Sequence, residues 1–157
     1  MAEELKIGVV SCSGEDCLGG TISRLATRKM LDEVRPDKTV TICLPLFLAG
    51  GQEERMFAKT FPTIAVDGCN KACAKRATEK YSGKVNGTIL VSDIIGDTVS
   101  ESAALSTRDV TAEHQTMVDK VAAEITKQFD AILNANSKNQ AGSTATSCGC
   151  SCSGGCG

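Results

Sequence analysis

At 157 residues the chain has the length of one ordinary domain, enough to bury a core without disulfides. Its 17 Lys and Arg against 19 Asp and Glu give a formal charge of −2, and aromatics make up 3%, which argues against a basic nucleic-acid or membrane surface and against base-stacking platforms. The first residues, MAEELK, lack the basic and apolar regions of a secretory signal, and the longest apolar stretch (42–49) is broken by Pro45 and too short for a bilayer, so a cytoplasmic protein is expected.

Residues 5–11 (LKIGVVS) form a short apolar run rich in β-branched side chains, as in a strand buried on both faces of a parallel sheet. A glycine-rich loop, 12–20, leads into a helix over 21–34, where Ile22, Leu25, Ala26, Met30 and Val34 recur at three- and four-residue spacing before Pro36 ends it. Residues 39–44 read as a second strand. Gly50-Gly51 opens a short helix with Glu53 and Glu54 in its first turn, closed by Phe61-Pro62. A third strand, 63–66, runs straight into Asp67-Gly68-Cys69 and a helix from about residue 70 to 81, stopped by Ser82-Gly83. Asn86-Gly87 turns the chain into a fourth strand over 87–95. A last amphipathic helix, 110–133, buries Val118, Val121, Ile125, Phe129 and Ile132. The alternation predicts an α/β fold: a three-layer sandwich around a parallel four-stranded sheet, Rossmann-like or flavodoxin-like, with no readable strand order. Residues 1–134 form the domain, 135–147 a flexible polar linker, and 148–157 a Cys-rich tail.

Nine cysteines in a reducing compartment point to ligands or redox thiols before a disulfide framework, and the Asn86-Gly87-Thr88 sequon then carries no weight. Open parallel sheets bind ligands beyond the carboxyl ends of their strands, where Cys12, Cys43 and Cys69 are all expected. Strands about 4.8 Å apart suit thiolates that lie about 3.8 Å from one another on a shared zinc. Cys69 and Cys73, four residues apart at the expected helix start, would share a face, and the helix N-terminus would favour thiolate over thiol. The expected ligand set is Cys12, Cys43, Cys69 and Cys73, with Cys17 as a substitute or fifth thiol; Cys43 is its weakest member, because the following apolar run can bury it. Gly68 permits a sharp turn, and Asp67 either caps backbone N–H groups or orients a ligand from behind. Asp93 fits a solvated carboxylate better than a general base, Glu54 a plain first-turn acid, and His114 has no partner in the sequence.

At Asp67-Gly68-Cys69-Asn70-Lys71-Ala72-Cys73-Ala74-Lys75 the chain resembles the DGC family, named for that tripeptide and described as zinc-binding. The likeness spans roughly residues 6–97: a first strand leading to Cys12-Ser13-Gly14 and Gly19, then Cys43, the Asp-Gly-Cys motif with its second cysteine, and Val91-Ser92-Asp93. It implies a cytoplasmic metal-binding α/β domain and names no reaction.

In the tail only glycine and serine separate Cys148, Cys150, Cys152 and Cys156, which lets backbone wrap a soft ion. Without the CxxC pairs of a zinc ribbon, it suits an adaptable second site able to capture or transfer metal, held by its linker at roughly millimolar effective concentration near the domain. Three functions follow. The first is a metal-binding protein whose partner and cofactor is zinc, with no nucleic acid or membrane involved. The second is an iron–sulfur protein, since four thiolates suit a cluster equally. The third is a thiol redox or sulfur-transfer enzyme with Cys69 as nucleophile and Cys73, Cys17 or the tail resolving. A phosphatase-like loop needs arginine six residues after the cysteine, where Lys75 stands; no triad can form around His114 alone, and no Walker loop is present.

Overall fold

A computed structural model describes residues 4–142 other than 13 and 15, with side chains through residue 137. The chain runs as β1 (Ile7–Ser11), α1 (Leu18–Lys29) continued by a π-helical turn (Met30–Val34), β2 (Thr39–Val40), α2 (Leu44–Ala49), α3 (Gln52–Arg55), α4 (Phe57–Thr60) and β3 (Thr63–Asp67). It continues through α5 (Cys73–Tyr81), β4 (Gly87–Leu90), α6 (Val91–Ile95), α7 (Asp97–Ser100) and α8 (Ala112–Gly142). The four strands are parallel in the order β2-β1-β3-β4, with Ser11 opposite Val66 and Asp67 opposite Leu90. The α/β fold read from the sequence is therefore the fold of the chain.

Alternate side chains of the strands fill two separate cores. Ile7, Val9, Ile64, Val66 and Ile89 pack against Ile22, Ala26 and Met30 on one side and Val118, Val121, Ile125 and Phe129 of α8. Val10 and Ala65 face the opposite layer, where Phe47, Phe57 and Ala74 close over them. Ile7, Val9, Ile64 and Val66 are wholly buried, each such side chain stabilising by about 1.5–3 kcal/mol relative to exposure. Because β2 and β3 flank β1 on opposite sides, the chain reverses direction across the sheet between β1 and β3, and the crevice at their carboxyl ends is the place where such sheets bind ligands.

Several boundaries differ from expectation. The second strand stops at Val40, because Pro45 sits in the first turn of α2, where its fixed φ and missing N–H suit a helix start. α1 starts at Leu18 and so takes Gly19 and Gly20 out of the loop. The fourth strand ends at Leu90, and α6 and α7 follow at once, which moves Asp93 from a strand end to an exposed first helical turn. α8 extends to Gly142 over 31 residues, continuing as helix through the first part of the expected linker. The rest of that linker and the four tail cysteines lie outside the described residues.

α8 also has a direction that bears on the tail. Seven residues before it begins, the Leu105 carbonyl accepts a hydrogen bond from Thr21 at the head of α1. Farther along, Asp119 pairs with Lys29 at the end of α1, Gln128 reaches β4 beside Gly87, its first residue, and Asp130 pairs with Arg35. The helix thus travels from the carboxyl end of the sheet past its amino end. Among the described residues no helix is long and apolar enough to cross a membrane.

Candidate functional site

The crevice between β1 and β3 is built on a crossing of glycine backbones. After Cys12, whose N–H continues the ladder to Val66 O (3.0 Å), the chain turns through Gly14 at φ +79°, a conformation that favours glycine. A β-carbon on Gly14 would lie 2.6 Å from Gly20 O, and one on Gly68 would lie 2.6 Å from the carbonyl carbon of Gly19. Ser100 ties the far side by donating its hydroxyl hydrogen to Gly68 O. The loop after β1, the start of α1 and the turn after β3 therefore meet without an intervening side chain.

Asp67 explains why the motif starts with an acid. Buried at the end of β3, its carboxylate accepts N–H bonds from Ala74 (2.6 Å) and Lys75 (3.0 Å), so it caps α5 from across a loop. Its capping role is thus settled by contact. Burial raises its pKa above the usual carboxylate value, and the two N–H donors and the Lys75 charge offset part of that rise. The cap also delays the helix. α5 begins at Cys73 after a left-handed Ala72 (φ 49°), leaving Cys69 in the preceding turn, so the shared helical face expected for Cys69 and Cys73 does not form.

Cys12 occupies the centre of the crevice. Its Sγ lies 3.2 Å from Ser23 Oγ and receives the Gly68 N–H at 3.4 Å. Ser23 already gives its one hydroxyl hydrogen to Gly20 O, so the thiol hydrogen of Cys12 is the donor between them. Burial pushes the Cys12 thiol up; the Gly68 N–H aimed at the sulfur acts against this, while the nearby Asp67 and Cys17 add to it. Cys17 stands immediately before α1, half-buried, and Cys69 is half-buried after Gly68. The Lys71 ammonium, paired with Asp16 at 2.8 Å across the crevice, lies within electrostatic reach of both.

Three of the five expected core cysteines, Cys12, Cys17 and Cys69, are thus brought to one crossing. Cys43 is exposed just before α2 and shares a different cavity with Cys12; Cys73 is exposed at the head of α5 beside Arg76 and Tyr81. Among the described residues, no three cysteine, histidine, aspartate or glutamate side chains stand together as a metal site requires. Glu54 accepts the Gly51 N–H (2.8 Å), a local helix-start contact, and His114 Nδ1 accepts the Thr111 N–H (3.2 Å) at the head of α8. Sequence reasoning missed Ser23, Ser100 and the Asp16–Lys71 pair, which carry no spacing signal because their partners are far away in the chain.

No curated protein and no solved structure matches the chain. The model of the DGC domain family matches residues 8–121. That span contains the glycine crossing, the Asp67 cap and all five core cysteines, and the chain belongs to the DGC domain family.

Proposed function

We propose that the protein binds a thiophilic divalent metal, zinc before others, through cysteine thiolates at the carboxyl ends of β1 and β3, with Cys12, Cys17 and Cys69 as the core donors. The observation that carries this reading is the convergence of three cysteines from separate segments on one crossing, where a backbone N–H is already aimed at one sulfur. Hydrogen bonds to sulfur from groups around a site are among the features that tune bound thiolates.

The residues as placed do not form a ligand set, since the Cys12 hydrogen is engaged with Ser23 and no three donors stand together among the described residues. Binding would therefore require the Cys12 proton to leave and the half-buried Cys17 and Cys69 side chains to close. Bound zinc would supply Lewis acidity or a structural clasp. The crossing would hold the donors and exclude bulk water from Cys12. Because that thiol lies above its ordinary value, uptake would release a proton and strengthen as pH rises. α8 leads away from the crossing, so the core site is assigned to core cysteines alone.

The test is metal analysis of untagged full-length protein purified without oxygen, beside Cys12→Ser and a variant with Cys148, Cys150, Cys152 and Cys156 all changed to serine. About one colourless zinc per chain is expected in the wild type and the tail variant, and loss of it in C12S. Iron with sulfide and a brown chromophore would establish the cluster reading instead. Protein without metal in all three forms would overturn both and leave thiol chemistry at Cys69 as the remaining reading.

A further inference from the structure

The overall charge of −2 is unevenly distributed over the fold. Between Gln52 and Lys84, seven Lys and Arg stand against four Asp and Glu, a balance of +3, so the rest of the chain carries −5. One of those four acids, Asp67, is buried and engaged by the α5 N–H groups. On the α1–α8 side of the sheet, Arg28, Lys29, Arg35 and Lys127 each pair with a carboxylate. Arg55, Lys59, Arg76, Lys80 and Lys84, on the other side, are exposed, and among the described residues none of the five pairs with a carboxylate. Contacts gather them into one surface. Arg55 on α3 and Lys80 on α5 both lie over the Tyr81 ring, 5.8 and 5.1 Å from its centroid. Arg76 stands one turn before Lys80, and Lys59 on α4 runs beside Gly83, the neighbour of Lys84, where an added β-carbon would lie 3.3 Å from Lys59 Cγ.

Apolar side chains stand on the same layer. Phe47, Phe57 and Ala74 turn inward to the sheet from α2, α4 and α5, which leaves Leu46 and Leu48 of α2 and Met56, between α3 and α4, in solvent. Of the four large apolar side chains exposed among the described residues these are three, the fourth being Val99 on α7; Leu48 is the most open, at 59%.

We propose that the α2–α5 layer docks on anionic membranes, its cations meeting the charged headgroups while Leu46, Leu48 and Met56 enter the boundary between headgroups and acyl chains. A bilayer interface satisfies both halves of this surface, because it offers negative charge and hydrocarbon at adjoining depths. A nucleic acid would satisfy the cations and leave the leucines in water, and the Tyr81 ring, already engaged by Arg55 and Lys80, is a poor platform for a base. The contact is peripheral and reversible, and it weakens as salt screens the headgroup charge. It does not depend on metal at the glycine crossing.

Full-length protein is sedimented with vesicles of phosphatidylcholine alone, or of phosphatidylcholine mixed with phosphatidylserine, and the bound fraction is measured at rising salt. The apparent affinity is expected to be about tenfold or more higher for the anionic vesicles and to collapse near 1 M salt, where the Debye length falls to about 3 Å. Lys59→Gln with Lys80→Gln should cut it about tenfold or more, and Leu48→Ser about threefold at every salt concentration. Lys120→Gln with Lys127→Gln removes the same charge from exposed positions on α8 and should leave the affinity within about twofold. All five positions are exposed, so none of these changes endangers folding. Equal partition into both kinds of vesicle, equal losses in the two double variants, or no binding to either vesicle would each overturn the proposal. Retention of a single-stranded oligonucleotide by protein that ignores both vesicles would overturn it too and assign the same cations to nucleic acid.

Discussion

Gly68→Ala is expected to destabilise the protein by about 3 kcal/mol or more, enough to remove much of the stability of an ordinary domain. The added methyl would overlap the backbone nitrogen of Gly20 and sit 2.6 Å from the carbonyl carbon of Gly19 and 2.8 Å from Gly20 Cα. All of these are main-chain atoms of the first turn of α1, so no side-chain rotation can relieve the overlap. α1 would have to move off the sheet, away from the core that Ile22, Ala26 and Met30 share with α8. Gly51→Ala is the matched control, since its nearest neighbour is the flexible tip of Glu54 at 3.5 Å, and it should change stability by less than about 1 kcal/mol. Urea midpoints at constant m-value measure both. A Gly68→Ala protein within 1 kcal/mol of wild type would mean that the two turns do not touch.

Asp67→Ala should cost about 2–3 kcal/mol, because it strands two α5 N–H groups, one of them on the fully buried Ala74. Asp67→Asn should cost less, about 1–2 kcal/mol, since an amide can accept one of the two hydrogen bonds while its NH₂ opposes the other. The pH dependence has a definite sign. Burial holds the native carboxyl above the ordinary value of 3.8, so the folded protein binds this proton more tightly than the unfolded chain. The contribution of Asp67 is therefore fully present below 3.8 and declines as pH rises through its higher native value. The stability difference between wild type and D67N should narrow as pH is raised from about 3 to 6, with the other carboxylates cancelling in the difference. A difference that widens over that interval would show that the two N–H donors outweigh burial and that the native pKa is lowered.

The readable parts of the fold were those where local pattern and tertiary role agree. The β-branched runs ending at Ser11 and Asp67 are strands because they lie centrally in the sheet with both faces covered, and the spacing of Val118, Val121, Ile125 and Phe129 survives as the buried stripe of α8. The strand expected over residues 39–44 overran β2, and α2 was not anticipated, because an apolar run carries no period and Pro45 marks the first turn of a helix as readily as it marks a break. The site was legible as far as its cysteines. Which cysteines meet was not, because that depends on strand order and on a cap that reaches from residue 67 to residues 74 and 75. The sequence pattern allowed two roles for Asp67, and only the position of its carboxylate chooses between them. The metal expected from the cysteine count remains a proposal that rests on Cys12, Cys17 and Cys69.

The length of α8 sets a limit on what the terminal cysteines can do. Thirty-one residues of helix span about 46 Å, and they carry the chain past the end of the sheet opposite the glycine crossing. From Gly142, however residues 143–157 are arranged, an extended chain gains at most about 3.5 Å per residue, so Cys148 comes no farther back than about 21 Å and Cys152 about 35 Å. Cys156 would arrive only on a taut strand. The helix thus acts as a strut whose far end stands away from the crossing, so that most of the terminal thiols fall short of their own crevice. A handover of metal from Cys148, Cys150 or Cys152 to the core should then be a bimolecular encounter, its rate rising in proportion to protein concentration.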